Sequence, residues 1–470
     1  MNYQQQIEQY FSENREQFIE AIARLVKIKS VEGPATNKYP FGEGPAKALD
    51  ETLAIAKELG LHTQNHEYYV GTIDINEHET NLGILGHVDV VPEGAHWNYD
   101  PYGAAIVDGK MYGRGTSDDK GPVIAALFAL AAVKNLNIPL KYNTKLIVGT
   151  DEESGFLDLD YYMERFEMPP HLFTPDAEFP VINIEKGSIR TSFEGEFEPS
   201  PALPRVVRIR GGHTINVVPP EAEADVEGLT LEQVENIAKQ VTEQTGVKFE
   251  LATFDNGIVR IYAKGTGGHA SLPELANNSI TALVALLTQL PLAESELHTA
   301  LKGVASLFPH ADYGAKAAGL AMSDELSGAL TMNVSIIDLD PATMKVFFDS
   351  RVPICATEAN TFDVLEKNLA PYKLTLSRTG FEPPHHTPAE SPFVQTLLKV
   401  YEHYTGNKGE CIAIGGGTYV HGIAGGVAFG PTMPGIDTRM HSNDEFIILD
   451  DMLKAAQIYA QVIVELCHEA

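Results

Sequence analysis

Cysteine is nearly absent from this chain: three in 470 residues, at Cys355, Cys411 and Cys467. They lie far apart without metal or redox spacing. That excludes a disulfide framework, a thiolate metal cage and a CxxC redox pair, and it fits a reducing cytoplasm. Positive charge is also scarce. Lys plus Arg total 34 against 64 Asp plus Glu, a formal net charge of −30. Such a balance favours solubility and argues against nucleic acid or an anionic membrane as partner. No run of about twenty apolar residues marks a membrane span. Residues 1–6, MNYQQQ, have neither a charged n-region nor an apolar h-region, so no signal peptide is expected. No low-complexity tract is seen.

At 470 residues the chain is too long for one simple core, and two domains are expected. Ile7, Phe11, Phe18, Ile19, Ile22, Leu25 and Val26 recur at helical spacing and predict an amphipathic N-terminal helix. From residue 82 to about 184 apolar strands alternate with helices, including an Ala- and Leu-rich one at 122–133. This is the pattern of an α/β sheet flanked by helices. It resumes after Pro383-Pro384, with a helix over 387–404, a short strand at 426–429 and a final helix over 450–466. The region between reads differently. Residues 206–210 and 258–262 alternate like half-buried strands, with a helix over 231–244 between them. Further strands are expected at 330–337 and 344–352, and a helix near 362–369. The expectation is therefore an α/β catalytic domain with a mixed sheet, formed by residues 1–186 and 383–470, and an inserted α+β domain at 187–382.

Chemistry concentrates where the strands of the α/β part end. GHVDVVP (86–92) follows the apolar run 82–85, and in a strand His87 and Asp89 face the same side. A His beside a carboxylate there suits a metal ligand and the group that fixes its ring, although a bare His-x-Asp is usually a surface pair. GRGTSDDKG (113–121) places two carboxylates in a glycine-rich turn before a helix. TDEESG (150–155) follows the strand at 146–148, TPDAE (174–178) follows 172–173, and RMHSNDE (439–445) adds a second His. Like charges crowded at one sheet end repel unless cations lie between them. Solvated acidic turns are the plain alternative, and they do not account for two histidines in the same places.

GHVDVVP, GRGTSDDKG, DEESG, PDAE and MHSNDEF, in this order and at these separations, resemble the metal-dependent exopeptidases that bind two zinc ions. That family includes carboxypeptidases, aminoacylases, desuccinylases and dipeptidases, and the resemblance is strongest to its bacterial PepV-type dipeptidases. It implies that His87 and Asp176 hold one metal, that Glu153 and His441 hold the other, and that Asp118 bridges both. Asp119 is then a neighbour, Asp89 orients His87, and Glu152 is the general base. The chemistry agrees. Two metals about 3.5–4 Å apart can share a hydroxide and polarise a carbonyl. His and carboxylate ligands suit zinc, and manganese or cobalt also. A peptide nitrogen must be protonated as it leaves, which a carboxylate that first took the water's proton can do. In an extended segment Glu152 and Glu153 would point apart, one to the metal and one to the water.

The insertion resembles the family's lid, doubled in PepV-type enzymes so that one chain covers its own site; a monomer is expected. GTGGHASLP (265–273) resembles the lid stretch whose His stabilises the oxyanion, which implies that role for His269. Asn216 in TINVVP and Arg351 in FDSRVP resemble lid residues that contact substrate, Arg351 through its C-terminal carboxylate. An ordinary strand-end charge is the other reading of Arg351. Gly415, Gly416 and Gly417 could cradle an anion through backbone N–H groups or form a simple turn. The resemblance puts them by the substrate's C-terminus, although His421 stands where the family pattern carries Arg. The implied activity is hydrolysis of unblocked dipeptides with two divalent ions, most readily zinc. An N-acyl-amino-acid deacylase or desuccinylase is the alternative within the family. An inactive metal-binding or amino-acid-sensing protein is the alternative outside it.

Overall fold

The computed structural model describes residues 3–254 and 257–468. Met1 and Asn2, part of the N-terminal stretch read for a leader, lie outside the described residues. The chain divides into two compact units. The first comprises Met1–Ile184, His386–Ile412 and Gly417–Ala470, and the second Glu185–His385 with Ala413–Gly416.

The first unit is built on a mixed sheet. Its strands run in the order His62–His66, Val70–Asp74, Asn143–Gly149, Thr80–His87, His171–Thr174, Val427–Ala428 and Val181–Glu185. Thr80–His87 sits between Asn143–Gly149 and His171–Thr174 and is parallel to both. These central strands are apolar because both faces are covered. The helix Lys120–Asn135 is apolar all round and buried from Lys120 to Val133, as a helix inside a core must be. It packs against the final helix Leu449–Cys467, itself buried over most of its length. Phe18 meets Phe128 edge-on at 5.2 Å and extends this core to the N-terminal helices.

Local chemistry moves some boundaries from those expected. The N-terminal helix is two, Gln4–Glu13 and Arg15–Val26, broken at Asn14, whose backbone and side-chain N–H groups both donate to the Tyr10 carbonyl. The helix expected from 387 begins at Pro392. Ser391 Oγ accepts the Val394 N–H at 3.2 Å, and proline at the first turn favours that start.

The second unit is built on a large antiparallel sheet. Its order is Lys248–Thr253, Ile258–Lys264, Glu221–Glu227, Arg205–Gly211, Thr331–Asp340, Thr343–Val352, Gly187–Glu196 and Thr375–Leu376. Helix Leu231–Thr245 starts with a Thr230/Gln233 capping box and stops at Gly246, φ 73°, where glycine avoids the Cβ clash of a left-handed residue. It packs against Ser279–Gln289, which lies on the sheet and against Glu296–Leu307. Cross-strand ion pairs such as Arg260 Nε–Asp225 Oδ1 (2.6 Å) and Arg208 Nε–Asp225 Oδ2 (3.3 Å) link polar side chains of neighbouring strands. Among the described residues no helix is long and apolar enough to cross a membrane.

Phe128→Ala is expected to destabilise the first unit by about 3–5 kcal/mol through the cavity it leaves. Leu231→Ala, at a position 41% exposed, should change stability by about 0.5 kcal/mol or less. Urea unfolding of the two variants checks the contrast, and equal effects would contradict this account of the core.

Candidate dinuclear metal centre

Three parallel strands deliver several of the first unit's candidate side chains to one end of the sheet. His87 is the last residue of Thr80–His87, Glu152 and Glu153 lie in the turn after Asn143–Gly149, and Asp176 follows His171–Thr174 by two residues. Asp118 comes from the turn before Lys120–Asn135, and His441 from the loop before Phe446–Ile448. Carboxyl ends of parallel strands are where open α/β sheets hold ligands.

Asp118 stands between the two histidines. Its Oδ1 is 3.0 Å from His87 Nε2, and its Oδ2 is 2.8 Å from His441 Nε2. Asp176 Oδ2 lies 3.6 Å from His87 Nε2, and Glu153 Oε2 lies 3.2 Å from His441 Nε2. Two potential ligand groups result, His87 with Glu152 and Asp176, and Asp118 with Glu153 and His441, each with its ligand atoms within 4.8 Å of one another. Glu152 thus joins the His87 side and Glu153 the His441 side. The two glutamates do not sit on an extended strand, as the sequence reading supposed. They lie in a turn over 151–155, and it is the turn that sends them to different groups.

The electrostatics of the cage call for cations. His87 is wholly buried, and its Nδ1 lies 3.1 Å from the Asp89 carbonyl and 3.3 Å from Asp89 Oδ1. Despite its burial, Asp118, Asp176 and Asp89 raise the metal-free His87 ring well above its ordinary range, and a ring that kept its proton at Nδ1 would turn its Nε2 lone pair to a cation. Although His87 Nε2 and Asp118 Oδ1 are close, their alignment makes no hydrogen bond, and both atoms are buried without a partner. Burial, and then repulsion from Asp176, Asp118 and Glu153, drives Glu152 well above the usual carboxylate range, against the opposing pull of His87. Burial and Asp118 also raise Glu153 and Asp176. Hydrogen bonds to Asp118 and Glu153 push His441 up to about 11. Carboxylates crowded onto two imidazoles call for positive charge between them, and imidazole plus carboxylate is the donor set of zinc-like ions. The residues fit two divalent ions.

Buried groups brace the ligands. Asp119 Oδ2 accepts the His87 N–H at 3.1 Å, and a Cβ on Gly86 would meet that oxygen at 2.5 Å, so this approach requires glycine. Asp89 stands beside His87, and its carboxylate also accepts the N–H groups of Glu152 (3.3 Å) and Glu153 (3.0 Å). Glu445 accepts the N–H groups of Ser117 (2.9 Å) and Asp118 (3.3 Å) and pairs with Arg114 at 2.5 Å. Asp158 and Tyr419 complete the bracing. Motif chemistry does not single out Arg114, Asp158, Tyr419 or Glu445: Arg114 and Glu445 lie inside GRGTSDDKG and MHSNDEF, whereas Asp158 has no local signal.

The second unit gathers its own candidates. Val217–Val218 pairs with Gly268–His269, and the Asn216 carbonyl accepts the Ala270 N–H at 2.9 Å. His269 Nδ1 accepts the Ser271 N–H at 3.2 Å and lies 2.6 Å from its hydroxyl. In the neutral ring this leaves the proton on Nε2. Arg351 Nη1 donates to the Gly415 carbonyl at 2.6 Å, and a Cβ on Gly415 would lie 3.3 Å from Ser271 Cβ. Asn216, His269, Arg351 and Gly415 are therefore linked within one unit. Gly416 touches only the side chain of Ile414 within 4 Å of its virtual Cβ. Arg351 is not an open fork. Its Nε and Nη2 are taken by Asp349 at 2.8 and 3.0 Å, so any further carboxylate meets the Nη1–Nη2 end.

The model of peptidase family M20/M25/M40 matches residues 83–465. YtjP of Bacillus subtilis (strain 168), provisionally named a dipeptidase, is 37% identical over 96% of this chain and 97% of its own length. The Beta-Ala-Xaa dipeptidase of Lactobacillus delbrueckii subsp. lactis is 34% identical over 96% of both chains. Human carnosine dipeptidase 1 shares the fold, with a TM-score of 0.59 at 16% identity over 99% of each chain. With the family model spanning most of its length, the chain belongs to peptidase family M20/M25/M40.

Proposed function

We propose that this protein is a metal-dependent dipeptidase that cleaves free dipeptides. The observation that carries the proposal is Asp118 offering one oxygen to each of two histidines, with Glu152 beside them. Full-length relatives named as dipeptidases support the substrate class. His87, Asp176 and Asp118 would hold one ion, and His441, Glu153 and Asp118 the other. Zinc is favoured by the donors, with manganese or cobalt also compatible. Ions bound there supply Lewis-acid polarisation of the scissile carbonyl and a more acidic water.

The remaining roles belong to the chain. Glu152, buried among acids, takes a proton from the attacking water and returns it to the departing amine. His269 offers its Nε2–H to the developing oxyanion, and Asn216 contacts the substrate. Arg351, fixed by Asp349 and Gly415, presents the Nη1–Nη2 end of its guanidinium to the substrate carboxylate, with Gly416 alongside. The second unit serves as a lid, and the active species is a monomer. An edge strand that carries Lys248 and Glu250, the latter paired with Lys264 at 2.8 Å, fits a sheet that does not extend into a partner.

Purified protein is expected to hold up to two divalent ions and to lose activity with chelator. Because Asp118 and Glu153 keep the metal-free His441 protonated at neutral pH, loading should release protons, and affinity should fall as pH falls. Calorimetry in buffers of different ionisation enthalpy measures this, and loading without proton release would contradict it. Glu152→Gln should retain both ions and substrate affinity but lose about a hundredfold or more in kcat. Near-normal turnover would remove Glu152 from the base role. Free dipeptides should be cleaved at least about a hundredfold faster than N-acetylated or C-amidated ones, because blocking either end leaves a buried charge unpaired. Arg351→Ala should hurt free dipeptides far more than amidated ones, and light scattering at assay dilution should give a single chain. Faster cleavage of N-acyl amino acids would replace the dipeptidase reading with the deacylase one.

A further inference from the structure

Four consecutive backbone N–H groups in the glutamate-bearing segment end on two buried carboxylates. Thr150 and Asp151 donate to Asp158 Oδ2 at 2.6 and 2.9 Å, and Glu152 and Glu153 donate to Asp89 at 3.3 and 3.0 Å. Asp158 Oδ2 takes a third donor, the Tyr419 hydroxyl, from a residue 261 positions away. Asp158 Oδ1 accepts the Leu159 N–H at 2.6 Å, so every acceptor atom of this carboxylate is engaged. Both side chains are buried, and the Tyr419 ring stands edge-on to His87, centroids 6.1 Å apart. A Cβ on Gly149 would collide with the Tyr419 hydroxyl and with Asp158 Oδ2, so Gly149 is the residue that lets this pair reach the strand end.

We infer that Asp158 and Tyr419 are positioning residues for the catalytic base: they clamp the start of the 150–153 segment as Asp89 clamps its end, and so fix where Glu152 meets the water. Neither touches the candidate ligand atoms through its own hydrogen bonds. Their action runs through backbone amides and reaches Glu152 within two residues. A proton-transfer group displaced by a fraction of an ångström loses rate while substrate and metal affinity persist. The inference rests on Glu152 being the base, so its test has one arm that depends on that assignment and one that does not.

Tyr419→Phe removes one hydroxyl and keeps the ring against His87. It is expected to retain both metal ions and a KM within about threefold, while kcat falls about ten- to a hundredfold. Placed in the Glu152→Gln background it should cause no further loss, because the group it positions is already gone. In metal-free protein, hydrogen exchange of the peptide covering 150–155 should speed up on Tyr419→Phe, and more on Asp158→Asn. Full kcat in Tyr419→Phe, equal losses in both backgrounds, or loss of metal in step with activity would each overturn the inference. Unchanged exchange in 150–155 would overturn it independently of activity. Faster exchange with an active Glu152→Gln would keep the clamp and remove Glu152 as what it serves. If Asp158→Asn does not fold, Tyr419→Phe alone decides.

Discussion

Negative charge packed out of water governs this molecule's active end. Asp118, Glu152, Glu153 and Asp176 converge on two imidazoles at the carboxyl ends of three parallel strands, and among the described residues none of them forms an ion pair with Lys or Arg. Buried charge on this scale is tolerated only with a counter-charge and with neighbours that cannot relax away. Divalent ions held by these residues would supply the counter-charge. The rigidity comes from a shell of further carboxylates, Asp89, Asp119, Asp158 and Glu445, whose partners include backbone N–H groups. Acid is used twice, once to attract cations and once to hold the acids that attract them.

The parts of the fold that were readable from sequence are those with a strong period. The strands before GHVD, DEES and PDAE and the apolar helix after GRGTSDDKG stand near the expected positions, because burial on both faces demands near-continuous apolar residues. Boundaries drifted where one side chain decides the matter: Asn14 splits a helix and Ser391-Pro392 delays another. The candidate ligands were readable because His and carboxylates at successive strand ends share one chemical purpose. Asp158 was not. It lies two residues from Asp160, which is exposed on the same helix, and what separates the two is tertiary: the amides of Thr150 and Asp151 and the approach of Tyr419 from far along the chain. The conformation of Glu152 and Glu153 was also misjudged, since Gly155 alone hints at a turn.

Arg351 shows a further limit of residue-type reasoning. An arginine fork matches a carboxylate, and this one already has such a partner in Asp349. The fixed guanidinium then loses little side-chain freedom on meeting a second carboxylate, because its orientation is set beforehand. A residue that is half satisfied inside its own unit can therefore still serve a ligand, through a narrower face than the sequence implied.

The strand Val427–Ala428 lies between His171–Thr174 and Val181–Glu185, which are close neighbours in sequence. A segment made late in synthesis thus occupies the interior of a sheet begun more than three hundred residues earlier. The sixth ligand candidate, His441, arrives with it, while the other five lie between residues 87 and 176. On the ribosome the second unit is complete before the first can close. Until the last tenth of the chain emerges, the nascent protein carries an acidic, half-built cage with an open seam through its sheet, and closing that seam brings the final imidazole into place.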